Sequence, residues 1–97
     1  MITLGEIETT LKKEMPVLRE RFRVKEIGVF GSFVRGEQKE TSDIDILVNF
    51  LEPIGLIKYV SLENYLSDIL GTKVDLVTVT GLRKRIEQEV LKEIVYV

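Results

Sequence analysis

Residues 43–50 read DIDILVNF, an apolar run with two aspartates set into its start. Strands avoid aspartate, and an unpaired buried charge is costly. Alternation along a strand resolves half of the conflict: Asp43 and Asp45 fall on one face and Ile44 and Ile46 on the other. The chain must therefore build a sheet whose one face is a core and whose other face carries carboxylates. The two aspartates are about 6.6 Å apart along the strand, close enough to converge on one cation. Something positive must compensate them.

The rest of the chain supplies elements for such a sheet. Leu4, Ile7, Leu11, Met15 and Leu18 recur at helical steps and predict a helix over 3–21, with Pro16 expected to kink it or split it in two. A short β run over 25–30 ends at Gly31-Ser32, and 33–36 suit a single helical turn before a polar loop. A helix is expected over 54–70, with Ile57, Val60, Leu62, Tyr65, Leu66, Ile69 and Leu70 as its apolar side and Gly71 at its C-terminal end. A third strand follows over 73–79, then a last helix over 82–93 capped by Thr80 and beginning with the basic run Arg83-Lys84-Arg85. The closing IVYV is expected to extend the sheet edge or to touch a partner. The fold class predicted is α+β with α/β-type alternation: a small, mixed, three-stranded sheet flanked by helices, in one domain over 1–97.

Composition limits the chemistry. The chain has no cysteine and no histidine, which removes thiolates, disulfides, the commonest general base and the usual zinc ligands. Catalysis would have to run on carboxylates, hydroxyls, lysine, arginine or a hard metal ion. A net charge of −2 predicts no direct nucleic-acid binding. No window resembles a membrane span or a signal peptide, so a cytoplasmic location is expected.

Asp75 lies between Val74 and Leu76 and joins Asp43 and Asp45 if the third strand lies beside the second. Two carboxylates about 4 Å apart repel by about 4 kcal/mol at an effective dielectric of 20. Three call for a divalent ion, and an all-oxygen set favours Mg²⁺, with Mn²⁺ as a substitute. Upstream, Gly31 allows close backbone approach and Ser32 suits a helix N-cap, an arrangement that can hold phosphate oxygens. Arg35 in that first turn opposes the helix dipole and needs a phosphate or a carboxylate beside it. Each feature alone has a bland reading: a lone D-x-D is usually solvated, and a lone Gly-Ser is only a turn. Together they point to a site.

Gly31-Ser32-Phe33-Val34-Arg35-Gly36 followed by Ser42-Asp43-Ile44-Asp45 resembles the signature of the DNA polymerase β-type nucleotidyltransferases, and within them the minimal nucleotidyltransferase group. The resemblance extends to the chain length, the third-strand KVDL and the C-terminal LKEIVYV. It implies a nucleotidyltransferase fold in which Gly31 and Ser32 hold the triphosphate, with Arg35 and Ser42 counted among the nucleotide-binding positions. It further implies that Asp43, Asp45 and Asp75 are catalytic and bind Mg²⁺. The implied substrate is ATP. The implied partner is a HEPN-type toxin, which the chain would adenylylate on a tyrosine and so neutralise within a heteromeric complex. Two alternatives stay open at the level of sequence: a nucleotide-binding antitoxin that only masks its partner, and a small-molecule transferase of the aminoglycoside type.

Overall fold

In the computed structural model of the chain the described residues are 1–82 and 84–97, the side chains of 84 and 85 excepted, so the side chains of the basic run at 83–85 lie outside the description. The first helix, α1 (Leu4–Phe22), begins at a capping box in which Thr3 and Glu6 satisfy each other's backbone donors. It continues through Pro16 as one helix, so the expected break into two helices does not occur. Pro16 and Lys12, whose carbonyl loses its helical donor, are both exposed, so water can take that acceptor. Arg23 ends the helix in the left-handed region at φ 57°.

The chain then forms β1 (Val24–Phe30), the single turn α2 (Ser32–Arg35), β2 (Ile44–Phe50), α3 (Leu56–Leu70), β3 (Val74–Thr78), a 3₁₀ turn Val79–Gly81, α4 (Lys84–Glu93) and β4 (Val95–Tyr96). The strands lie in the order β3-β2-β1-β4, with β2 and β3 parallel and the other two pairings antiparallel. The sheet is thus mixed, as expected, but has four strands rather than three. The tail supplies the fourth: β4 pairs with β1 at Gly28 and Val29, and Val97 N–H donates to the Ile27 carbonyl at 3.0 Å.

The two faces of the sheet differ, as the alternation in β2 requires. Ile44, Ile46 and Val48 join Ile7, Leu11, Leu18 and Phe22 of α1 and Leu62, Leu66 and Leu70 of α3 in the main core. Ile57 and Val60, assigned to the apolar side of α3, are instead exposed. The buried stripe runs through Leu62, Leu66 and Leu70 with Tyr59 packed against it, and at helical spacing Ile57 and Val60 fall on other sides of α3. Tyr59 and Tyr65 lie at the rim, where Tyr59 Oη donates to the Leu76 carbonyl and Tyr65 Oη to Glu14, each at 2.6 Å. The opposite face is covered by α4: Leu47 and Val90 are buried apart from the main core. Gly28 is needed there, because a Cβ on it would come within 2.8 Å of Ile94. Thr80, expected to cap the last helix, lies instead within the 3₁₀ segment, and α4 begins four residues later at Lys84. Thr78 accepts from Gly81 N–H and turns the chain through the 3₁₀ segment before α4 begins.

Leu66 is fully buried between α3 and the sheet. Leu66→Ala is expected to cost about 2–5 kcal/mol and to lower the melting temperature by roughly 10 °C or more, measured by circular dichroism.

Candidate active site

Asp45 and Asp75 are direct neighbours in the parallel register of β2 and β3. Paired residues in adjacent strands share a face and are about 4.8 Å apart across the ladder. Both therefore stand on the α4 side, the side away from the main core. Asp43 lies one residue before β2 at the same end of the sheet, and its carboxylate is 4.0 Å from Lys73 Nζ. The Lys73 side chain is 79% exposed, so this contact is weak and screened.

On the other flank of Asp45 is Phe30, its partner in β1, and the chain turns immediately at Gly31. Gly31 has φ 80°, a region that favours glycine, and a Cβ there would fall on the Asp45 carboxylate. Asp45 thus leans against a position that only glycine can fill. Gly31 also occupies the cap position of α2, so Ser32 is the first residue of the helix and not its N-cap as expected. The Gly31 carbonyl accepts from Val34 N–H at 3.1 Å and from Arg35 N–H at 3.2 Å, so the turn closes without a side-chain cap.

Arg35 has the carboxylate that its position demanded. Its Nη1 donates to Glu93 Oε1 at 3.0 Å and Oε2 at 3.1 Å, and its Nε donates to Glu37 at 3.1 Å. Glu93 Oε1 also accepts from Gly31 N–H at 3.0 Å. A cavity of about 380 Å³ opens here, bounded by Phe30, Gly31, Arg35, Asp45, Val90 and Glu93. A cavity of about 360 Å³ at the far ends of β2 and β3 has Glu52 as its one ionisable lining group, and Arg23 holds that carboxylate at 2.9 Å. The first cavity is the one that brings Asp45, Arg35 and Glu93 together.

Gly31, Ser32, Arg35, Asp43, Asp45 and Asp75 all lie around one end of the sheet, as sequence reasoning placed them. Ser42 does not join them. Its Oγ accepts from Lys39 N–H and its own N–H donates to the Lys39 carbonyl, both at 2.9 Å, closing the loop before β2. Glu93 was not singled out in the sequence. Its signal was indirect, namely the unexplained cation in the first turn of α2.

The Asp45 carboxyl is pushed up to about 6, by burial first and then by the charges of Asp75 and Asp43; Arg35 opposes the rise. Among the described residues no three acidic side chains are gathered in a geometry that would hold a metal ion as they stand. Their donor chemistry nevertheless fits one: three carboxylates, no nitrogen or sulfur, and an Asp45 whose ionisation suffers from the other two.

A family model for the nucleotidyltransferase domain matches residues 11–97. The protein adenylyltransferase MntA of Thermococcus cleftensis is 56% identical over 97 residues, covering 100% of this chain and 98% of that protein. The chain belongs to the nucleotidyltransferase family. Its fold agrees with that assignment. A solved structure described as a minimal nucleotidyltransferase superposes with a TM-score of 0.74 at 37% identity, covering 92% of this chain and 93% of the other. A toxin-antitoxin crystal structure with AMP-PNP superposes with a TM-score of 0.72 at 29% identity, covering 88% of this chain and 69% of that one. Among the described residues of this nucleotidyltransferase no helix is long and apolar enough to cross a membrane.

The raised Asp45 value has a thermodynamic consequence. An unfolded aspartate titrates near about 4, so the folded, metal-free chain holds this proton more tightly. Its ionisation costs nothing below about pH 4 and its full penalty above about pH 6 to 7. Through this group the chelator-treated protein is expected to be more stable at about pH 5 than at about pH 7.5. Asp45→Asn should remove that difference and stabilise the neutral-pH form by on the order of 1 kcal/mol, discounted for the half-exposed carboxyl. Urea melts at the two pH values check it; an unchanged pH dependence in the variant counts against the cluster.

Proposed function

We propose that this nucleotidyltransferase is a Mg²⁺-dependent protein adenylyltransferase of the cytoplasm. In this reading it transfers AMP from ATP to a tyrosine hydroxyl of a HEPN-type toxin and neutralises that toxin within a heteromeric complex. The observation that carries the proposal is the pairing of Asp45 with Asp75, with Asp43 near enough to act on the Asp45 charge, beside the Gly31 turn and a cavity lined by Asp45 and Arg35. The protein adenylyltransferase name of the Thermococcus cleftensis relative and the AMP-PNP in the toxin-antitoxin neighbour support the reaction and the partner class. Tyrosine as the acceptor rests on the family resemblance of the sequence motif.

The residues divide the work by position. In the Gly31-Ser32 turn the Gly31 N–H is held by Glu93, and the Ser32 hydroxyl, which α2 does not use for capping, is suited to an oxygen of the triphosphate. Arg35 adds a permanent positive charge nearby. Asp43, Asp45 and Asp75 would hold divalent metal, which when bound supplies positive charge to offset that on the phosphates and the departing pyrophosphate. Asp75 is exposed on β3 and so reachable by a protein-borne acceptor. It takes the phenolic proton while the tyrosine oxygen bonds to the α-phosphorus and the bond from that phosphorus to pyrophosphate breaks. One carboxylate cluster thus serves both binding of charge and transfer of the proton.

The test uses ATP labelled at the α-phosphate, Mg²⁺, the purified chain and its cognate toxin. Label should appear on the toxin. Asp43→Asn and Asp45→Asn are each expected to reduce transfer at least about a hundred-fold, and chelation to abolish it. Transfer by Asp45→Asn at the wild-type rate would overturn the proposal. Protection of cells by a variant that transfers nothing would favour masking.

A further inference from the structure

Glu93 stands outside the motif that the proposed reaction uses, yet it makes three of the hydrogen bonds around the cavity. It ends α4, one residue before Ile94 packs on Gly28 and two before β4 begins. Its Oε1 accepts from Gly31 N–H and from Arg35 Nη1, and its Oε2 accepts from the same Nη1. The carboxylate is largely enclosed, at 22% exposure, whereas Glu37, the other partner of Arg35, is 65% exposed. The two acids grip Nε and Nη1, and Nη2 carries no hydrogen bond among the described residues.

We propose that Glu93 is a positioning residue for nucleotide binding, acting through Arg35 and the Gly31 turn. The inference rests on the adenylyltransferase reading above, because it assigns the nucleotide to this cavity. An arginine side chain carries about 2 kcal/mol of rotamer entropy that must be lost before its fork can serve a phosphate. Glu93 removes that freedom in advance, fixing one edge of the guanidinium and leaving Nη2 for the ligand. The Gly31 bond adds a second restraint. It sets the turn against which the Asp45 carboxylate rests, so one acidic side chain on α4 governs both the cationic and the anionic wall of the cavity. The exposed Glu37 cannot replace it, since a solvated pair does little to hold a long side chain.

A simpler idea is that Glu93 merely fills the phosphate position and competes with ATP. The two ideas differ in sign. If Glu93 positions Arg35, loss of its charge weakens nucleotide binding; if it competes, the same change tightens binding.

Glu93→Gln separates them while keeping an acceptor for Gly31 N–H, so the fold should persist with an unchanged melting temperature. ATP binding, followed by titration calorimetry with Mg²⁺, is expected to weaken roughly ten-fold. KM for ATP should rise by a similar factor, with kcat falling less. In an Arg35→Ala background the same Glu93→Gln change should cost less than about two-fold, because the group it acts through is gone. Glu37→Gln should stay within about two-fold of wild type. Arg35→Lys leaves Glu93 intact and removes the fork; it should reproduce the ten-fold loss, and it carries the test if Glu93→Gln does not fold. Tighter ATP binding by Glu93→Gln, equal losses with and without Arg35, or wild-type affinity in Arg35→Lys each overturns the inference and leaves the reaction standing. Failure of the wild-type chain to bind ATP overturns the adenylyltransferase reading and this inference with it.

Discussion

The parallel pairing of β2 with β3 sets Asp45 directly beside Asp75, and much of the rest of the molecule follows from that placement. Like charges in adjacent strands destabilise a sheet, and burial makes the Asp45 charge worse still. The main core on the opposite face offsets the cost. Ile44, Ile46 and Val48 in β2 are completely buried between α1 and α3, and Val74 and Leu76 in β3 nearly so. Slipping β3 by one residue would separate the aspartates, but it would also turn the apolar residues of β3 into solvent. The hydrophobic register is what holds the acids together. A site that repels itself is therefore stored in a fold stabilised elsewhere, and the stored repulsion is what makes it receptive to positive charge.

Glycine plays the complementary part at Gly31. Here the need is geometric on two counts, a positive φ and the approach of the Asp45 carboxylate to the place a side chain would take. The Gly-Ser turn and the aspartates are thus one structure rather than two motifs brought near each other. Gly28 has a comparable role two residues before the end of β1, where it admits Ile94 and lets α4 close over the second face.

The parts of this arrangement that were legible in the sequence are those written in local alternation. Asp43, Asp45 and Asp75 could be placed on a face because their apolar neighbours fix the other face, and Gly71 marks the end of α3 in the left-handed conformation as anticipated. The parts that were not legible depend on distant partners or on solvent. Pro16 leaves α1 unbroken because the orphaned carbonyl reaches water. Ile57 and Val60 are apolar but fall outside the stripe of Leu62, Leu66 and Leu70 that packs on the sheet, and they are exposed. The IVYV tail was expected at the sheet edge or on a partner, and β4 does take the edge, but which strand it joins shows only in three dimensions. Glu93 meets Arg35 across 58 positions of sequence, a separation at which one glutamate among many carries no mark. Ser42 shows the opposite limit: it stands inside a recognisable motif, and in the structure its hydroxyl oxygen accepts from Lys39 N–H and closes a loop.

The three long helices are anchored to very different degrees. Four residues of α1 and three of α3 are buried, while Val90 is the residue of α4 buried among those described, and β4 holds the sheet by two register pairs. Local opening costs least where the fewest apolar contacts must be broken. Backbone amides of α4 and β4 should therefore exchange with solvent deuterium through fraying of the C-terminal segment alone, while those of β2 wait for global unfolding. The wall of the cavity that carries Glu93 is thus its most lightly anchored part, whereas Asp45 and Asp75 stand on strands whose other face is the main core.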